Sequence, residues 1–378
     1  MNLLREKIER EIHEQGPMRF SRYMELCLYD EEFGYYSRNA EQFGKTGDFY
    51  TSSDVHAVFG RLMARQFEEM WRALDRPARL RIKELGPGRG LFAQDVLDWS
   101  EKTFPDFFHS VHYVLLERSP ALRHRMETTL HRHLMSGKAE IAETDAGASS
   151  SAIVFANEFF DALPVEIVSS AGSLRLVLHD TSGGPTKITE VWGPCSPGEL
   201  EFMDRYSVHP DPGDRLEVCL EAERTARKAA DSEQGFFVAI DYGYTRQEQL
   251  AGRHRGTLKS IRRHAANVSP YEAPGEQDIT ADVNFTALAA AAENCGFHPE
   301  KLVTQSQFLM GIGETNQFAD AFSGCRLPQE QTKVALQLKH LVTPAGMGES
   351  FHVLVASKRI EAQKVAQLAG LSFGRTRV

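Results

Sequence analysis

Cysteine is scarce in this chain of 378 residues, and the few cysteines are far apart. Their number is odd and no two of them form a CxxC pair: Cys27, Cys195, Cys219, Cys295 and Cys325. A disulfide framework or a zinc site is therefore not expected, and the pattern favours a reducing compartment.

Long apolar runs and an excess of positive charge are also missing. No apolar stretch approaches the roughly 18 residues of a membrane-spanning helix, so no membrane span is expected. The chain has 43 Lys and Arg against 52 Asp and Glu, a net charge of −9, which argues against nucleic acid as a partner. The start, MNLLREKIEREIHEQG, is too charged for a signal peptide and too acidic for a transit peptide, which predicts a cytoplasmic location.

Short apolar strands that alternate with helices begin near residue 80. Five strands are predicted in RLRIKELG, VHYVLLE (111–117), AEIAE (139–143), SAIVFANEFFDALP (151–164) and GFFVAIDYGY (235–244). Alternation of apolar strands with helices is typical of a parallel sheet that is covered on both faces. Between the fourth and fifth strands, Leu174, Leu176 and Leu178 share one strand face, and KITEVW can pair with that strand. We therefore expect an antiparallel insertion there.

Apolar spacing and turn residues predict the remaining elements. Helices are expected at 2–15, 20–30, 54–74, 120–135, 283–295 and 328–341, strands at 301–310 and 351–358, and a loop-rich stretch at 245–280. The chain then divides into an N-terminal helical extension and lid (1–76), a first half of the core (77–165), the insertion (166–215), a second half (216–360) and a C-terminal tail (361–378).

The stretch KELGPGRGLF, residues 83–92, is a glycine-rich turn between a predicted strand and a predicted helix. Glycine at positions Gly86, Gly88 and Gly90 lets the backbone turn sharply and leaves room for a ligand to approach. The spacing differs from a Walker loop and from the G-x-G-x-x-G of dinucleotide folds, and Pro87 removes an N–H donor, so phosphate is not the expected ligand. The alternative is a tight turn that binds nothing.

Two acids near this turn favour a ligand with an amino-acid tail and a ribose. Glu84, two places before the first glycine, would repel phosphate but suits an ammonium group. Glu117 ends the second predicted strand, where a carboxylate can accept hydrogen bonds from both ribose hydroxyls. As an alternative, Glu117 is a solvated strand end.

This pattern resembles the class I S-adenosylmethionine-dependent methyltransferases, and further motifs resemble one family of them. The motifs GDFYTSSDVHAVFG, ELGPGRG, NEFFDALPVE, IDYGY and PGEQDITADVNFTAL stand in the order typical of the MidA-like family, over residues 16–356. Its mitochondrial members are arginine methyltransferases that assist the assembly of respiratory complex I. The resemblance implies an α/β fold with a doubly wound, mostly parallel sheet, S-adenosylmethionine as the cofactor, and a protein substrate, with a respiratory-complex subunit among the candidates.

The motif NEFFDALP follows the fourth strand, and ligands of doubly wound sheets lie beyond the carboxyl ends of the strands. We therefore expect Asn157 at the cofactor and Glu158 and Asp161 as catalytic acids. Carboxylates orient a guanidinium well, because they accept two parallel hydrogen bonds from it. Alternatively, Asp161 caps the following turn and Asn157 only fixes the loop.

Two loop residues complete the predicted site. The resemblance implies that GDFYTS closes over the donor or the substrate, which assigns Thr51 to the cofactor, although a helix-capping role is the alternative. His264 is a candidate proton acceptor because histidine titrates near neutral pH, but a histidine on a polar loop is more often structural. No metal site is expected, and a homodimer is left open.

The leading hypothesis is methyl transfer from S-adenosylmethionine to an arginine of a protein. Two alternatives remain: the same donor site could methylate a small molecule or another side chain, or the chain could be a donor-binding assembly chaperone with little turnover. A chaperone needs the glycine turn but no acids aimed at the methyl group, so Glu158 and Asp161 weigh against it.

Overall fold

The computed structural model describes residues 2–37, 57–144, 147, 149–180, 186–262, 265–266 and 269–373. Within these ranges the strands are β1 (Met18–Arg19), β2 (Leu80–Leu85), β3 (Val111–Leu116), β4 (Ala139–Ala142), β5 (Ser149–Asn157), β6 (Glu166–Ser169), β7 (Gly172–His179), β8 (Lys187–Gly193), β9 (Leu216–Val218), β10 (Ser232–Tyr244), β11 (Lys259–Arg262), β12 (Ala265–Ala266), β13 (Asp278–Thr280), β14 (Val283–Asn284), β15 (His298–Pro299), β16 (Val303–Thr304) and β17 (Phe351–Lys358).

The described helices are α1 (Leu3–Gln15), α2 (Phe20–Tyr29), α3 (Ala57–Ala73), α4 (Leu91–Thr103), α5 (Pro105–Ser110), α6 (Pro120–Thr129), α7 (His131–Met135), α8 (Pro197–Tyr206), α9 (Glu221–Ala229), α10 (Arg246–Leu250), α11 (Phe285–Asn294), α12 (Gln305–Glu314), α13 (Ala319–Phe322), α14 (Pro328–Val342) and α15 (Ala362–Ala366). None of these helices is long and apolar enough to cross a membrane.

The central sheet has the strand order β4-β3-β2-β5-β10-β17-β15. The strands from β4 to β10 are parallel, whereas β17 runs antiparallel to β10. The predicted doubly wound, mostly parallel sheet is therefore confirmed. Its parallel strands place the turns after β2, β3 and β5 at one edge of the sheet, where the candidate site lies.

Both faces of the sheet are buried, which explains why the central strands β5 and β10 contain apolar runs without alternation. Phe155 and Val238 contribute to the hydrophobic cluster that includes α3 and α4. The adjacent strand residues Val154 and Phe237 face the opposite cluster, which includes α9 and α11. Neighbouring residues of one strand thus point to different layers of core.

A second sheet, with the order β1-β7-β6-β9 and β8 paired antiparallel to β7, takes three of its five strands (β6, β7 and β8) from the predicted insertion 166–215. The insertion is therefore confirmed as antiparallel. Leu174 and Leu176 are fully buried on its apolar face. That face packs on α1 and α2, where Leu4, Ile8 and other apolar residues form one stripe. The N-terminal extension also supplies β1, since Met18 pairs with Leu176.

Several elements differ from the sequence-based prediction. The strand expected at 301–310 is wrong: β16 has two residues, and α12 begins directly after it. Thr304 and Gln307 form a capping box there, a helix-start signal that outweighs the local β-propensity. The helix expected at 120–135 is two helices with Leu130 between them. The stretch 245–280 contains α10 and a small sheet, β12-β11-β13, in addition to loops.

Two parts of the prediction remain to be tested. Residues 54–56 of the expected helix 54–74 lie outside the described residues. The division of the chain into units at residues 76, 165, 215 and 360 stays a prediction.

Candidate active site

A cleft of about 920 Å³ lies beyond the carboxyl ends of β2, β3 and β5. The glycine turn after β2, the acid after β3 and the NEFFDALP turn after β5 line it. Tyr29 and Tyr36 of the N-terminal extension form another part of its wall, and so does Asp278 of β13. This is the position in which a doubly wound sheet binds its ligands.

The three glycines of the turn all have a positive φ, at 64° for Gly86, 54° for Gly88 and 75° for Gly90. A Cβ on Gly86 would lie 2.6 Å from Cδ2 of Phe159, and one on Gly90 would lie 3.0 Å from Leu130. A Cβ on Gly88 would meet no described atom within 4 Å. Gly86 and Gly90 therefore permit close packing, whereas Gly88 faces open space in the cleft and leaves it free for a ligand.

Glu84 is the buried acid of the turn, with 4% of its surface exposed. Tyr113 Oη donates a hydrogen bond to Glu84 Oε2 at 2.9 Å. Burial raises the pKa of Glu84 to about 8, although the hydrogen bond from Tyr113 opposes the shift. A cation bound beside Glu84 would favour the ionised carboxylate, which suits the ammonium group expected from the sequence.

Glu117 directly follows β3 and lines the cleft. Its Oε1 accepts a hydrogen bond from the backbone N–H of Ser119 at 2.8 Å. Burial raises the pKa of Glu117 to about 7, and hydrogen bonds from the backbone N–H groups of Ser119 and Arg118 oppose that shift. The half-buried carboxyl group is therefore held in place by the local turn.

Asn157 and Glu158 stand where β5 leaves the sheet, and both line the cleft. The backbone N–H of Glu158 donates to the carbonyl oxygen of Ile240 at 2.9 Å, next to the last rung of the β5–β10 ladder. Asn157 Nδ2 donates to Glu158 Oε1 at 3.1 Å. Glu158 has a φ of 49°, which costs a residue other than glycine on the order of 1 kcal/mol or more and is found most often at functional sites.

Asp161 lies three residues further along the same turn and is 5% exposed. Burial raises the pKa of Asp161 to about 6, while a hydrogen bond with Tyr242 and the charge of Lys259 lower it. The backbone N–H of Ala281 donates to the carbonyl oxygen of Asp161 at 2.9 Å, which ties the turn to the segment after β13.

The structure also places Tyr29 and Tyr36 in the site and Asp241 directly behind it, three residues that the sequence did not single out for it. Tyr29 Oη donates to the carbonyl oxygen of Ala162 at 2.9 Å, and Tyr36 Oη lies 3.1 and 3.2 Å from the two carboxylate oxygens of Asp278. Asp241, near the carboxyl end of β10, lies directly behind the NEFFDALP turn. One signal for it was available, since it is a charged residue that follows the apolar run FFVAI.

The predicted site residues are distributed as follows. Seven of them line this one cleft: Glu84, Gly86, Gly88, Glu117, Asn157, Glu158 and Asp161. Gly90 is the N-cap residue of α4 and lies close to Leu130. Thr51 and His264 lie outside the described residues. Across the described part of the chain, no group of three or more His, Cys, Asp and Glu side chains is arranged to hold a metal ion.

A sequence model of the family described as "Putative S-adenosyl-L-methionine-dependent methyltransferase" matches residues 62–303, more than half of the chain. The chain belongs to this methyltransferase family. The methyl donor is therefore S-adenosylmethionine, whose sulfonium carries a methyl group that is already activated for transfer.

Individual proteins that are similar to this chain are named as methyltransferases too. The methyltransferase is 29% identical to the "Protein arginine methyltransferase NDUFAF7 homolog, mitochondrial" of Drosophila melanogaster, over 93% of this chain and 84% of that protein. It is 26% identical to the human protein arginine methyltransferase NDUFAF7, over 90% and 80% of the two chains. A solved structure from Burkholderia thailandensis, bound to S-adenosyl-homocysteine, is 27% identical with a TM-score of 0.82, over 99% of this chain and 95% of that one. The resemblance to MidA-like methyltransferases is confirmed.

The cleft of the methyltransferase fits its donor. Its volume lies within the roughly 300–1,000 Å³ of pockets that bind small molecules. Gly88 leaves space for the donor to approach, Glu84 suits its ammonium group, and Glu117 suits its ribose hydroxyls. These three assignments stay predictions, and two of them are tested below.

Glu84 should make the stability of the methyltransferase depend on pH. Its pKa of about 8 in the folded protein lies above the ordinary 4.5, so the folded state keeps a proton that the unfolded chain releases. The stabilisation from this proton is complete below the unfolded pKa and is lost as the pH rises towards 8. Glu84→Gln keeps the shape and cannot ionise. We therefore expect the variant to gain stability over the wild type as the pH rises from about 5 to about 9, measured as the midpoint of urea unfolding.

An exposed acid provides the control for this experiment. Glu293 lies on the surface of α11, so Glu293→Gln should change the urea midpoint equally at both pH values. A stability difference between Glu84→Gln and the wild type that does not vary with pH would contradict the buried carboxyl group.

Glu117 should contribute directly to donor affinity. Glu117→Ala is expected to weaken donor binding by ~1.5–3 kcal/mol, the usual value of hydrogen bonds to a charged group. Glu117→Gln should lose less, because the amide oxygen can still accept one ribose hydroxyl. Titration calorimetry with S-adenosylhomocysteine measures both values, and Glu140→Ala, an exposed acid on β4, is the control. Wild-type affinity in Glu117→Ala would remove this residue from the ribose site.

Proposed function

We propose that this methyltransferase transfers the methyl group to an arginine side chain of a protein. One observation carries the proposal: the turn that holds Glu158 and Asp161 packs against the glycine turn through Phe159, whose ring lies 2.6 Å from the position of a Cβ on Gly86. The two acids thus line the same cleft as the predicted donor turn.

A guanidinium is a suitable substrate for such a site. Arginine stays protonated in proteins, so the enzyme must orient the cation and aim one nitrogen at the methyl group. Carboxylates at Glu158 and Asp161 can do this through paired hydrogen bonds. Because the donor is already activated, orientation and a matched electrostatic environment are the main contributions left to the protein.

The electrostatics of the cleft also favour a cationic substrate. Burial and the neighbouring acids raise the pKa of Tyr29 and Tyr36 well above the usual value, with Asp278 the strongest of the acids. Burial likewise raises the pKa of Asp161. Burial thus disfavours the ionised form of Asp161, and a cation bound beside it would favour the carboxylate.

The names of the relatives support arginine as the methylated side chain, but they do not name the protein that carries this arginine. The Drosophila and human proteins are named as protein arginine methyltransferases. A subunit of a respiratory complex as the substrate is our proposal from the family resemblance. The cytoplasmic location and the homodimer stay predictions, and light scattering of the purified protein would test the homodimer.

The proposal can be tested in cells. We expect at least one protein to carry methylated arginine in cells with the gene, and to lose it in cells without the gene, as measured by mass spectrometry of whole proteomes. Restoring the wild-type gene should restore the modification, whereas the Glu158→Gln gene should not. Methylation of another side chain or of a small molecule would support the first alternative. Unchanged methylation with a phenotype rescued by Glu158→Gln would support the chaperone.

A further inference from the structure

Asp241 is a fully buried acid that lies directly behind the NEFFDALP turn. Its Oδ2 accepts hydrogen bonds from three consecutive backbone N–H groups of that turn: Phe159 at 3.2 Å, Phe160 at 3.0 Å and Asp161 at 3.3 Å. Its Oδ1 accepts from the backbone N–H of Tyr242 at 3.0 Å. One carboxyl group therefore connects the end of β10 to the turn that carries both predicted catalytic acids.

These contacts determine the direction in which the chain leaves the sheet. The N–H of Glu158 still bonds to Ile240 of β10, but the φ of 49° at Glu158 turns the next residues away from the sheet. The three N–H groups that follow converge on one oxygen, an arrangement of backbone dipoles that favours an anion. Without an acceptor there, buried N–H groups would lose their hydrogen bonds, which is costly.

The position of this carboxyl group is unfavourable for a negative charge. Burial raises the pKa of Asp241 well above its usual value, and the charges of Asp161 and Glu158 raise it further, against the N–H groups of the turn. An amide of the same shape would avoid the repulsion. It would accept hydrogen bonds at only one of its two ends, however, whereas both oxygens of Asp241 act as acceptors.

We propose that Asp241 is a positioning residue for methyl transfer, which holds the backbone of the Glu158–Asp161 turn in register with the glycine turn. It acts from behind the turn and through its N–H groups. The inference rests on the proposed function only where it assigns Glu158 and Asp161 to the substrate; the holding of the turn can be measured without any substrate.

Asp241→Asn is the test variant, because it keeps the shape and still offers one acceptor. Glu217→Gln is a matched control: Glu217 is also a buried acid, and it accepts from the backbone N–H groups of Thr257 and Leu258. Melting temperatures establish that both proteins are folded. Asp241→Ser, which keeps a hydroxyl acceptor in a smaller side chain, replaces Asp241→Asn if that protein does not fold.

Amide hydrogen exchange measures the holding of the turn. We expect exchange at Phe159, Phe160 and Asp161 to be at least about 10-fold faster in Asp241→Asn than in the wild type. In Glu217→Gln those amides should keep their wild-type rates, and exchange should accelerate at Thr257 and Leu258. Wild-type exchange throughout the NEFFDALP turn of Asp241→Asn would overturn the proposal. Equal acceleration of this turn in both variants would overturn it too, because it would show general loosening.

Kinetics measure the consequence for catalysis. We expect kcat of Asp241→Asn to fall by about 10-fold or more, while the Kd of S-adenosylhomocysteine and the KM of the donor stay within about threefold. If Asp241 acts through Glu158, the double variant with Glu158→Gln should be about as slow as the slower single variant. A wild-type kcat would overturn the positioning role. If the wild type itself methylates no protein, the proposed function fails, and hydrogen exchange alone then decides whether Asp241 holds the turn.

Discussion

Glu158→Gln is expected to lower methyl transfer by at least about 100-fold while donor affinity stays within a few-fold. The substitution keeps the length of the side chain, and its amide oxygen can still accept the hydrogen bond from Asn157. What it removes is the charge that we expect to orient a guanidinium. Donor binding should persist because its expected contacts, Gly86, Gly88 and Glu117, belong to other turns of the cleft.

Donor affinity and turnover of Glu158→Gln are measured separately, by calorimetry and by single-turnover transfer from labelled donor. Glu140→Gln removes the same charge from an exposed position on β4 and should leave both values unchanged. Equal losses of donor affinity and turnover would move Glu158 into the cofactor site. Full turnover would remove it from the mechanism and favour the assembly chaperone.

Gly88→Val is expected to abolish the micromolar binding of S-adenosylmethionine. A Cβ at this position points into open space among the described residues, so the folded protein has room for the side chain but the donor loses its approach. The positive φ of 54° adds backbone strain of about 1–3 kcal/mol, which lowers stability independently of the ligand.

Gly137→Val separates these two effects. Gly137 has a φ of 68°, and a Cβ there also meets no described atom within 4 Å, but it lies at the end of α7 outside the cleft lining. Both variants should therefore lose similar stability, and Gly88→Val alone should lose donor binding in a calorimetric titration. Equal donor affinities in the two folded variants would contradict the donor site.

The meeting of the glycine turn and Glu117 in one cleft could be predicted, because its signals are local in sequence. Gly88 and Glu117 follow two neighbouring strands of the sheet, β2 and β3, and the parallel arrangement brings the carboxyl ends of those strands together. The short elements were less predictable: the apolar residues of 301–310 favoured a strand, but the capping box at Thr304 begins a helix. Helix–strand ambiguity of this kind is inherent in short apolar segments.

The contacts of Tyr36 and Asp241 around the cleft could not be predicted, because they join distant parts of the chain. Tyr36 reaches Asp278 across more than half of the sequence, and Asp241 reaches the turn after β5 from β10. No spacing rule connects such residues. The N-terminal extension packs against the insertion through β1, a strand of two residues that no periodicity marks.

The central claim is that this cleft transfers a methyl group from S-adenosylmethionine to a protein arginine. The most direct measurement incubates the purified protein with donor carrying a deuterated methyl group and with a protein extract of cells that lack the gene, and then locates the label by mass spectrometry. The account predicts label on arginine in one or a few proteins with the wild type, and none with Glu158→Gln. Label on another side chain or on small molecules, or equal label with both proteins, would contradict it.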